Sequence, residues 1–398
     1  MFSVTDILCG RSAGQARLRY GHVKRAAGHP EDDGPQDRAP RPVVVWALTQ
    51  ACNLRCVHCY ASAGSHAAPG ELTFNEGRAL LDDLRHFGVP AVLFSGGEPL
   101  VRPDALDLIA YARSLGLSCT LSTNGLLLDA PVAERLAACG LRYAGISLDG
   151  APARHDRLRG QAGAFEAVLK AVACCQARGI QVGLRFTVHA LNAEDLDFIF
   201  DLCRERSIDR LCIYHLAYAG RGQGMRRTDL SLPQTRALVE QIFERTRQLH
   251  ADGVPLEVLT VGNHADAAFA LLDLERREPA LAGAAWSRLE GSGGNRSGCQ
   301  IASIDPVGNV HYDQFSWHYP CGQIRNEPFS QIWSQPRDPR LALLRDRSPH
   351  LPKRCQSCRF LRVCNGNLRT RAEAATGDWL GFDPACYLTQ AETSDSIS

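Results

Sequence analysis

Three thiols fall within eight residues in the run Ala51-Cys-Asn-Leu-Arg-Cys-Val-His-Cys-Tyr60, namely Cys52, Cys56 and Cys59. Thiolates suit zinc and iron. A closed structural zinc site wants four protein ligands, whereas a cubane iron-sulfur cluster held by three cysteines leaves one iron open to a substrate or cofactor. A second set, Cys355, Cys358, Cys364 and Cys386, offers four thiolates, enough to close a cluster and also enough for a zinc ribbon. Between the two sets lies Ser95-Gly-Gly-Glu-Pro99, whose Gly96 and Gly97 let the backbone approach a ligand closely. Alone, that pentapeptide is a weak turn signal.

These residues must be held by elements the pattern also specifies. From Val43 the chain alternates short β-rich runs with helical patterns, the strands being expected at Val43 to Leu48, Ala91 to Phe94, Leu117 to Ser122, Tyr143 to Leu148, Gln181 to Val188 and Leu211 to Leu216. Six strand-helix units imply an α/β fold with a parallel sheet. The cysteine and glycine motifs fall just after strands, where (β/α) barrels build their sites, so a curved partial (β/α)6 barrel is expected. Period-two alternation in Gly183-Leu-Arg-Phe-Thr-Val-His189 sends Leu184, Phe186 and Val188 to one face and Arg185 into the barrel. A buried arginine needs a carboxylate of cofactor, substrate or protein, and a purely structural ion pair meets that need equally well.

Around the barrel the expected organisation is a leader over residues 1–40, the barrel over 41–230, a helical linker over 231–290 and a cysteine-rich domain over 291–398. The Pro-, Gly- and charge-rich stretch Gly28 to Pro42 marks the leader, and Ser231 to His250 and His264 to Arg277 read as the linker's helices. Gly291 to Gly298 marks the next boundary. Ile301 to Ile304 and Asn309 to Tyr312 flank Asp305-Pro-Val-Gly308 as a hairpin.

Composition narrows the function. Lysine plus arginine (44) nearly cancels aspartate plus glutamate (43), so no global field favours nucleic acid or an anionic membrane, and local arginines must meet any anionic substrate. The N-terminus lacks a signal-peptide pattern and no run reaches a membrane span, so a cytoplasmic location is expected. In a reducing compartment sixteen cysteines argue for metal ligation rather than disulfides. Cys119, Cys139, Cys174, Cys175, Cys203 and Cys212 are scattered through amphipathic segments and read as small buried hydrophobes, while Cys9 stays unassigned.

The Cys-x3-Cys-x2-Cys loop followed by Tyr60, with Gly96-Gly97-Glu98-Pro99 at its expected distance, resembles the radical S-adenosylmethionine (SAM) superfamily. That resemblance implies a [4Fe-4S] cluster on Cys52, Cys56 and Cys59, SAM bound at its open iron, and release of a 5′-deoxyadenosyl radical that abstracts hydrogen from unactivated carbon. It makes Glu98 an acceptor for the methionyl ammonium, and Ser122, Asn124, Ser147, Asp149 and Arg159 candidates for the SAM ribose and carboxylate. Turn and cap chemistry favours the same residue types. The C-terminal spacing resembles the auxiliary-cluster site of the SPASM and twitch extensions, implying a second [4Fe-4S] cluster. A further auxiliary cluster would take a cysteine where Leu368 stands, and Cys299 and Cys321 are too few to hold it, though available to contact substrate.

Further segments, among them Tyr214-His-Leu-Ala-Tyr-Ala-Gly-Arg-Gly222, Val258 to Asp266, Gly293 to Gly298, Val310 to Phe315 and Asp383-Pro-Ala-Cys-Tyr387, resemble a tetrapyrrole-modifying group of that superfamily. The activity implied is loss of two acetate arms from 12,18-didecarboxysiroheme to give Fe-coproporphyrin III, with Leu8-Cys-Gly10 and Leu18-Arg-Tyr-Gly21 favouring it. Propionate chemistry on the way to haem d1, peptide modification and non-catalytic electron transfer are the alternatives. The partners implied are a tetrapyrrole and a low-potential electron donor. Arg185, Arg221 and Arg296 are candidates for substrate carboxylates, and His215, His264, His311 and His318 for an axial ligand to substrate iron. Pro320-Cys321-Gly322 departs from the group's pattern, where an apolar residue is expected before the glycine.

Overall fold

The computed structural model describes residues 1–10 and 40–394. One open sheet of eleven strands runs through it, comprising β1 (Phe2–Ser3), β2 (Val43–Ala47), β3 (Val92–Ser95), β4 (Cys119–Thr123), β5 (Tyr143–Ser147), β6 (Gln181–Val188), β7 (Arg210–His215), β8 (Glu257–Val261), β9 (Ile301–Ile304), β10 (Asn309–His311) and β11 (Gly322–Gln323). The order is β1-β8-β7-β6-β5-β4-β3-β2-β9-β10-β11, with β2 to β8 parallel in sequence order and β9 parallel to β2. Helices return the chain between the parallel strands and cover the outer face, giving a partial barrel.

Local sequence accounts for these elements. The helix Phe74–Phe87 starts at a capping box of Thr73 and Glu76 and stops at left-handed Gly88, and Leu232–Ala251 starts at a capping box of Ser231 and Gln234. In β6, Leu184, Phe186 and Val188 are buried in the core with the helices, leaving Arg185 and Thr187 to the lumen. Burying Phe186 alone stabilises the fold by roughly 2–3 kcal/mol. Gly145 pairs with Gly183 across β5 and β6, and a side chain on either would strike Arg185 or Tyr143. Gly145 therefore makes room for Arg185 inside the barrel, and Gly183 for the Tyr143 ring.

Three expectations change here. Residues 231–290 are not purely helical, because β8 lies between the expected helices and extends the parallel run to seven strands; its Val258-Leu-Thr-Val run is short and hidden between stronger helical periods. The hairpin of β9 and β10 continues the barrel sheet, so the sheet does not break at 291. Residues 1–8, expected within the leader, join the barrel sheet. β1 pairs antiparallel with β8, Phe2, Val4, Ile7 and Leu8 are buried, and Thr5 Oγ1 accepts from Val258 N–H at 2.9 Å. Most of Gly28 to Pro42, and all of Leu18 to Gly21, lie outside the described residues.

Of the scattered cysteines, Cys119, Cys175, Cys203 and Cys212 are buried and Cys139 and Cys174 half-buried. Burial pushes the Cys119 and Cys175 thiols up to about 12, so they stay neutral and pack as small hydrophobes. Among the described residues no helix is long and apolar enough to cross a membrane.

Candidate active site

A cavity of about 180 Å³ lies at the C-terminal ends of β2 to β7, and Cys52, Cys56 and Cys59 all border it. Their loop follows β2 and is pinned by Cys52 N–H to the Gly64 carbonyl (2.6 Å) and Cys59 N–H to the Cys56 carbonyl (3.4 Å). Donors are aimed at two of the sulfurs. Leu54 N–H lies 3.4 Å and Asn124 Nδ2 3.9 Å from Cys52 Sγ, and Arg159 Nη1 lies 3.4 Å from Cys56 Sγ. Burial pushes the Cys52 thiol up to about 11, and these donors favour its thiolate once a metal binds. Three thiols bordering one cavity, two of them with donors aimed at the sulfur, are the donor set that an open iron-sulfur cluster takes.

Gly96 and Gly97 border the same cavity and lie against the backbone that leads into the cysteine loop. Gly97 N–H donates to the Thr49 carbonyl at 2.7 Å, and a Cβ on Gly96 would stand 2.6 Å from that oxygen. Gly96, at φ +143°, adopts a conformation that side chains rarely reach. Ser122 and Asn124 at the end of β4, Ser147 at the end of β5 and Arg159 complete a polar wall. Arg185 reaches across the lumen and donates from Nη1 to Ser122 Oγ at 2.6 Å.

Two expected SAM contacts sit behind that wall instead. Glu98 is fully buried and accepts from Thr123 Oγ1 (2.8 Å), Asn124 N–H (2.7 Å) and Leu100 N–H (3.1 Å). Burial pushes its carboxyl up to about 7 in spite of these donors. Its orientation braces the β4 loop that presents Asn124. Asp149 is likewise fully buried, 2.5 Å from Arg159 Nη2 and 3.1 Å from His58 Nε2, and accepts from Thr187 N–H at 3.0 Å. Against the desolvation that burial imposes, Arg159 and His58 hold Asp149 far below the usual carboxylate range. Asp149 thus positions Arg159 rather than facing the cavity.

The expected substrate residues divide. Arg221 borders the cavity, but its Nε donates to the Cys56 carbonyl (2.8 Å) and its Nη1 to the Ala63 carbonyl (2.7 Å), so it braces the cysteine loop. His215 ends β7 at the cavity edge. Alternation sends its ring with Leu211 and Ile213 to the helix side, where Nε2 lies 2.8 Å from Asp266. Arg296 and His264 border a different cavity, of about 590 Å³, beside the first residues of β2 and β9 at the opposite end of the barrel. Both His311 ring nitrogens are engaged, by the Tyr319 carbonyl (3.1 Å) and Asp305 (3.2 Å), and exposed His318 meets Glu373 at 2.8 Å.

Sequence reasoning missed His58, Tyr214, Gln314 and Phe315, which also border the cavity with Thr187. Thr187 was readable from the alternation that placed Arg185, and Tyr60 from its place after the third cysteine. Phe315 arrives from a loop after β10, with its ring 5.3 Å from that of Tyr60 at 80°, and no spacing signal predicts that approach.

Cys355, Cys358, Cys364 and Cys386 surround a second pocket of about 40 Å³ whose walls include Phe360, Leu361 and Phe382. Each cysteine is half-buried. Gly294, at φ +60°, lies against the Cys364 backbone, and Asn295 N–H donates to the Cys364 carbonyl at 3.1 Å. Asp383 accepts from Leu368 N–H and, at 2.8 and 2.9 Å, from the fully buried Arg371 guanidinium. Arg371 also donates to the carbonyls of Leu216 (3.1 Å) and Gly262 (2.8 Å), just beyond β7 and β8. Tyr387 O–H donates to Asp266 at 2.9 Å, the carboxylate that holds His215. These bonds tie the segments flanking the second cysteine site to the barrel residues just beyond β7 and β8. Cys299 and Cys321 border neither pocket, and Cys299 packs 3.9 Å from the Leu344 carbonyl.

Residues 46–203 match the family model described as the Radical SAM superfamily. Over 98% of its length the chain is 45% identical to Fe-coproporphyrin III synthase of Methanosarcina barkeri, covering 98% of that protein. It is 42% identical over 94% of its length to pre-heme d1 synthase of Dinoroseobacter shibae, covering 93% of that protein. Among solved structures, Streptococcus suis SuiB bound to S-adenosylmethionine aligns with a TM-score of 0.69 at 19% identity, over 88% of this chain and 78% of that one.

Proposed function

The chain belongs to the radical SAM superfamily, and on that premise we propose that it removes the two acetate side chains of 12,18-didecarboxysiroheme to give Fe-coproporphyrin III. The observation that carries the reading is the convergence, in one cavity, of the three-cysteine loop, the arginines Arg159 and Arg185, and the aromatic edge of Tyr60 and Phe315. An open cluster site then stands beside groups suited to a ring bearing carboxylates. Cys52, Cys56 and Cys59 would hold a [4Fe-4S] cluster whose open iron takes SAM; together they supply, when bound, a carbon-centred radical that removes one hydrogen atom from substrate.

The chain's own residues prepare that event. Asp149 and His58 fix Arg159 beside Cys56, while Glu98 and Thr123 fix the loop carrying Asn124. Ser122 and Ser147 offer hydroxyls to a ribose, and Arg185 a fork for a carboxylate. Tyr60, packed edge-on against Phe315 and Trp317, screens the cysteine loop from water. On the substrate, hydrogen loss at the ring carbon beside the acetate-bearing carbon lets the arm's carbon-carbon bond break as a ring double bond forms. The departing carboxymethyl radical needs one electron and one proton to leave as acetate. Cys355, Cys358, Cys364 and Cys386 would hold a second [4Fe-4S] cluster able to supply that electron, ultimately from a low-potential donor.

The test is an anaerobic incubation of reconstituted, reduced protein with SAM and didecarboxysiroheme, followed by tetrapyrrole mass. Loss of two acetate arms is expected. The 42% identity to pre-heme d1 synthase favours the second reading, chemistry on propionates, which a propionate-modified product would establish.

A further inference from the structure

We propose that the surface carrying Lys353, Arg354 and Arg362 docks an acidic ferredoxin, which delivers single electrons to the group held by Cys355, Cys358, Cys364 and Cys386. The inference rests on the reading of that site as a second iron-sulfur cluster. Between Arg347 and Ala372 the chain carries seven lysines and arginines and no aspartate or glutamate, although over its whole length 44 basic residues nearly cancel 43 acidic ones.

The seven divide by location. Arg347, Arg369 and Arg371 are buried and spend their donors on backbone carbonyls, Asn295 and Asp383, which is structural work. Arg359 is paired with Glu275 at 2.5 Å. Lys353, Arg354 and Arg362 are exposed. Among the described residues Lys353 and Arg362 have no hydrogen-bond or ion-pair partner through their side chains, and the Arg354 guanidinium lies over the Phe382 ring at 4.6 Å and bonds only the Leu388 carbonyl. Three cations without a carboxylate partner on one short segment leave a local positive field in a neutral chain.

That field adjoins the second cysteine site. Arg354 and Phe382 border the pocket of the four cysteines, Lys353 lies two residues before Cys355, and Arg362 lies two residues before Cys364. Because each cysteine is half-buried, a carrier resting on this face approaches the bound group more closely than from any direction through the barrel core. Electron transfer weakens steeply with distance, so docking position governs rate. The transfer itself is balanced: the reduced carrier loses one electron, the oxidised site gains one, and no bond or proton changes. An acidic protein of low potential is the partner whose charge and chemistry both fit.

The experiment uses the full reconstituted chain, its iron counted first, with an acidic ferredoxin as probe. Affinity for ferredoxin and the rate of reduction by it are measured at low and high salt, with dithionite as a small reductant for comparison. K353E/R362E is expected to weaken binding and slow ferredoxin-driven reduction at least about tenfold at low salt, with a flattened salt dependence and unchanged dithionite reduction. The pair R226E/R227E, which reverses exposed charges beyond β7 near the catalytic cavity, is expected to change neither. Loss following R226E/R227E instead, a salt-independent wild-type rate, or reduction by a flavodoxin with ferredoxin inert would each overturn the docking assignment. About four irons per chain rather than about eight would sink the second-cluster reading with it, whereas about eight irons with charge-insensitive reduction overturns the docking alone.

Discussion

The two cysteine sites differ in what surrounds the sulfurs. At the barrel mouth three thiols border about 180 Å³ lined by serine, asparagine and arginine, whereas in the C-terminal region four thiols close around about 40 Å³ walled by Phe360, Leu361 and Phe382. A site that must admit a cofactor and a substrate keeps a ligand position and space in reserve, and one that only stores electrons fills both. The residues behind each site follow the same division. Behind the mouth a buried set of Asp149, His58 and Arg159 aims a guanidinium at a sulfur, while behind the C-terminal site Asp383 and Arg371 lock backbone to backbone.

Breaking one sulfur at each site separates them most sharply. Cys56→Ala is expected to abolish SAM cleavage, a loss beyond about a thousandfold, since three thiolates are the minimum that holds the open cluster. Cys364→Ala should lower iron from about eight to about four per chain and stop acetate release while deoxyadenosine still forms. Iron analysis and chromatography of the nucleoside read both, and equal loss of deoxyadenosine in the two variants would erase the distinction.

Next in size are the buried ion pairs. Asp149→Asn leaves Arg159 as an uncompensated buried cation and should cost about 3–5 kcal/mol in denaturant unfolding, and Asp383→Asn should cost a similar amount by stranding Arg371. The comparison sharpens if only the first also weakens SAM binding.

Glu98 gives a pH-dependent effect. Its folded carboxyl titrates near 7 against an ordinary value of 4.5, so the folded chain takes up this proton before the unfolded chain as pH falls. Stability is therefore lost as pH rises from about 4.5 to about 7, by about 3 kcal/mol in all, and is flat above. Thermal unfolding of the metal-free protein across that range should carry this slope in the wild type and lack it in Glu98→Gln. The smallest effect is expected for Phe315→Ala, which removes one aromatic contact and should weaken Fe-coproporphyrin III binding roughly fivefold by optical titration, about 1 kcal/mol.

Much of this was legible in residue order. The six strands that carry the site were readable because each is a short apolar run between helical periods, three of them leading into Ser95-Gly96, Ser122-Thr-Asn124 or Ser147-Leu-Asp-Gly150, and Arg185 was readable because a strand alternates. What escaped depends on contacts between distant segments. Glu98 and Asp149 lie in the right motifs, yet their side chains turn into the protein because neighbouring N–H groups and Arg159 satisfy them there. Arg296 carries the right charge at the wrong end of the barrel, and His215 falls one residue out of phase with the lumen-facing set. The N-terminal strand was obscured because two residues give almost no periodic signal, and β8 because its Val258-Leu-Thr-Val run stands between two longer helical periods.

The most direct test of the central claim is to count deoxyadenosine and acetate in the same anaerobic incubation with didecarboxysiroheme. One deoxyadenosine for each acetate released, with Fe-coproporphyrin III as the final tetrapyrrole, is the result this account predicts. Deoxyadenosine formed without acetate, the tetrapyrrole unchanged, would keep the SAM chemistry and contradict the assigned substrate.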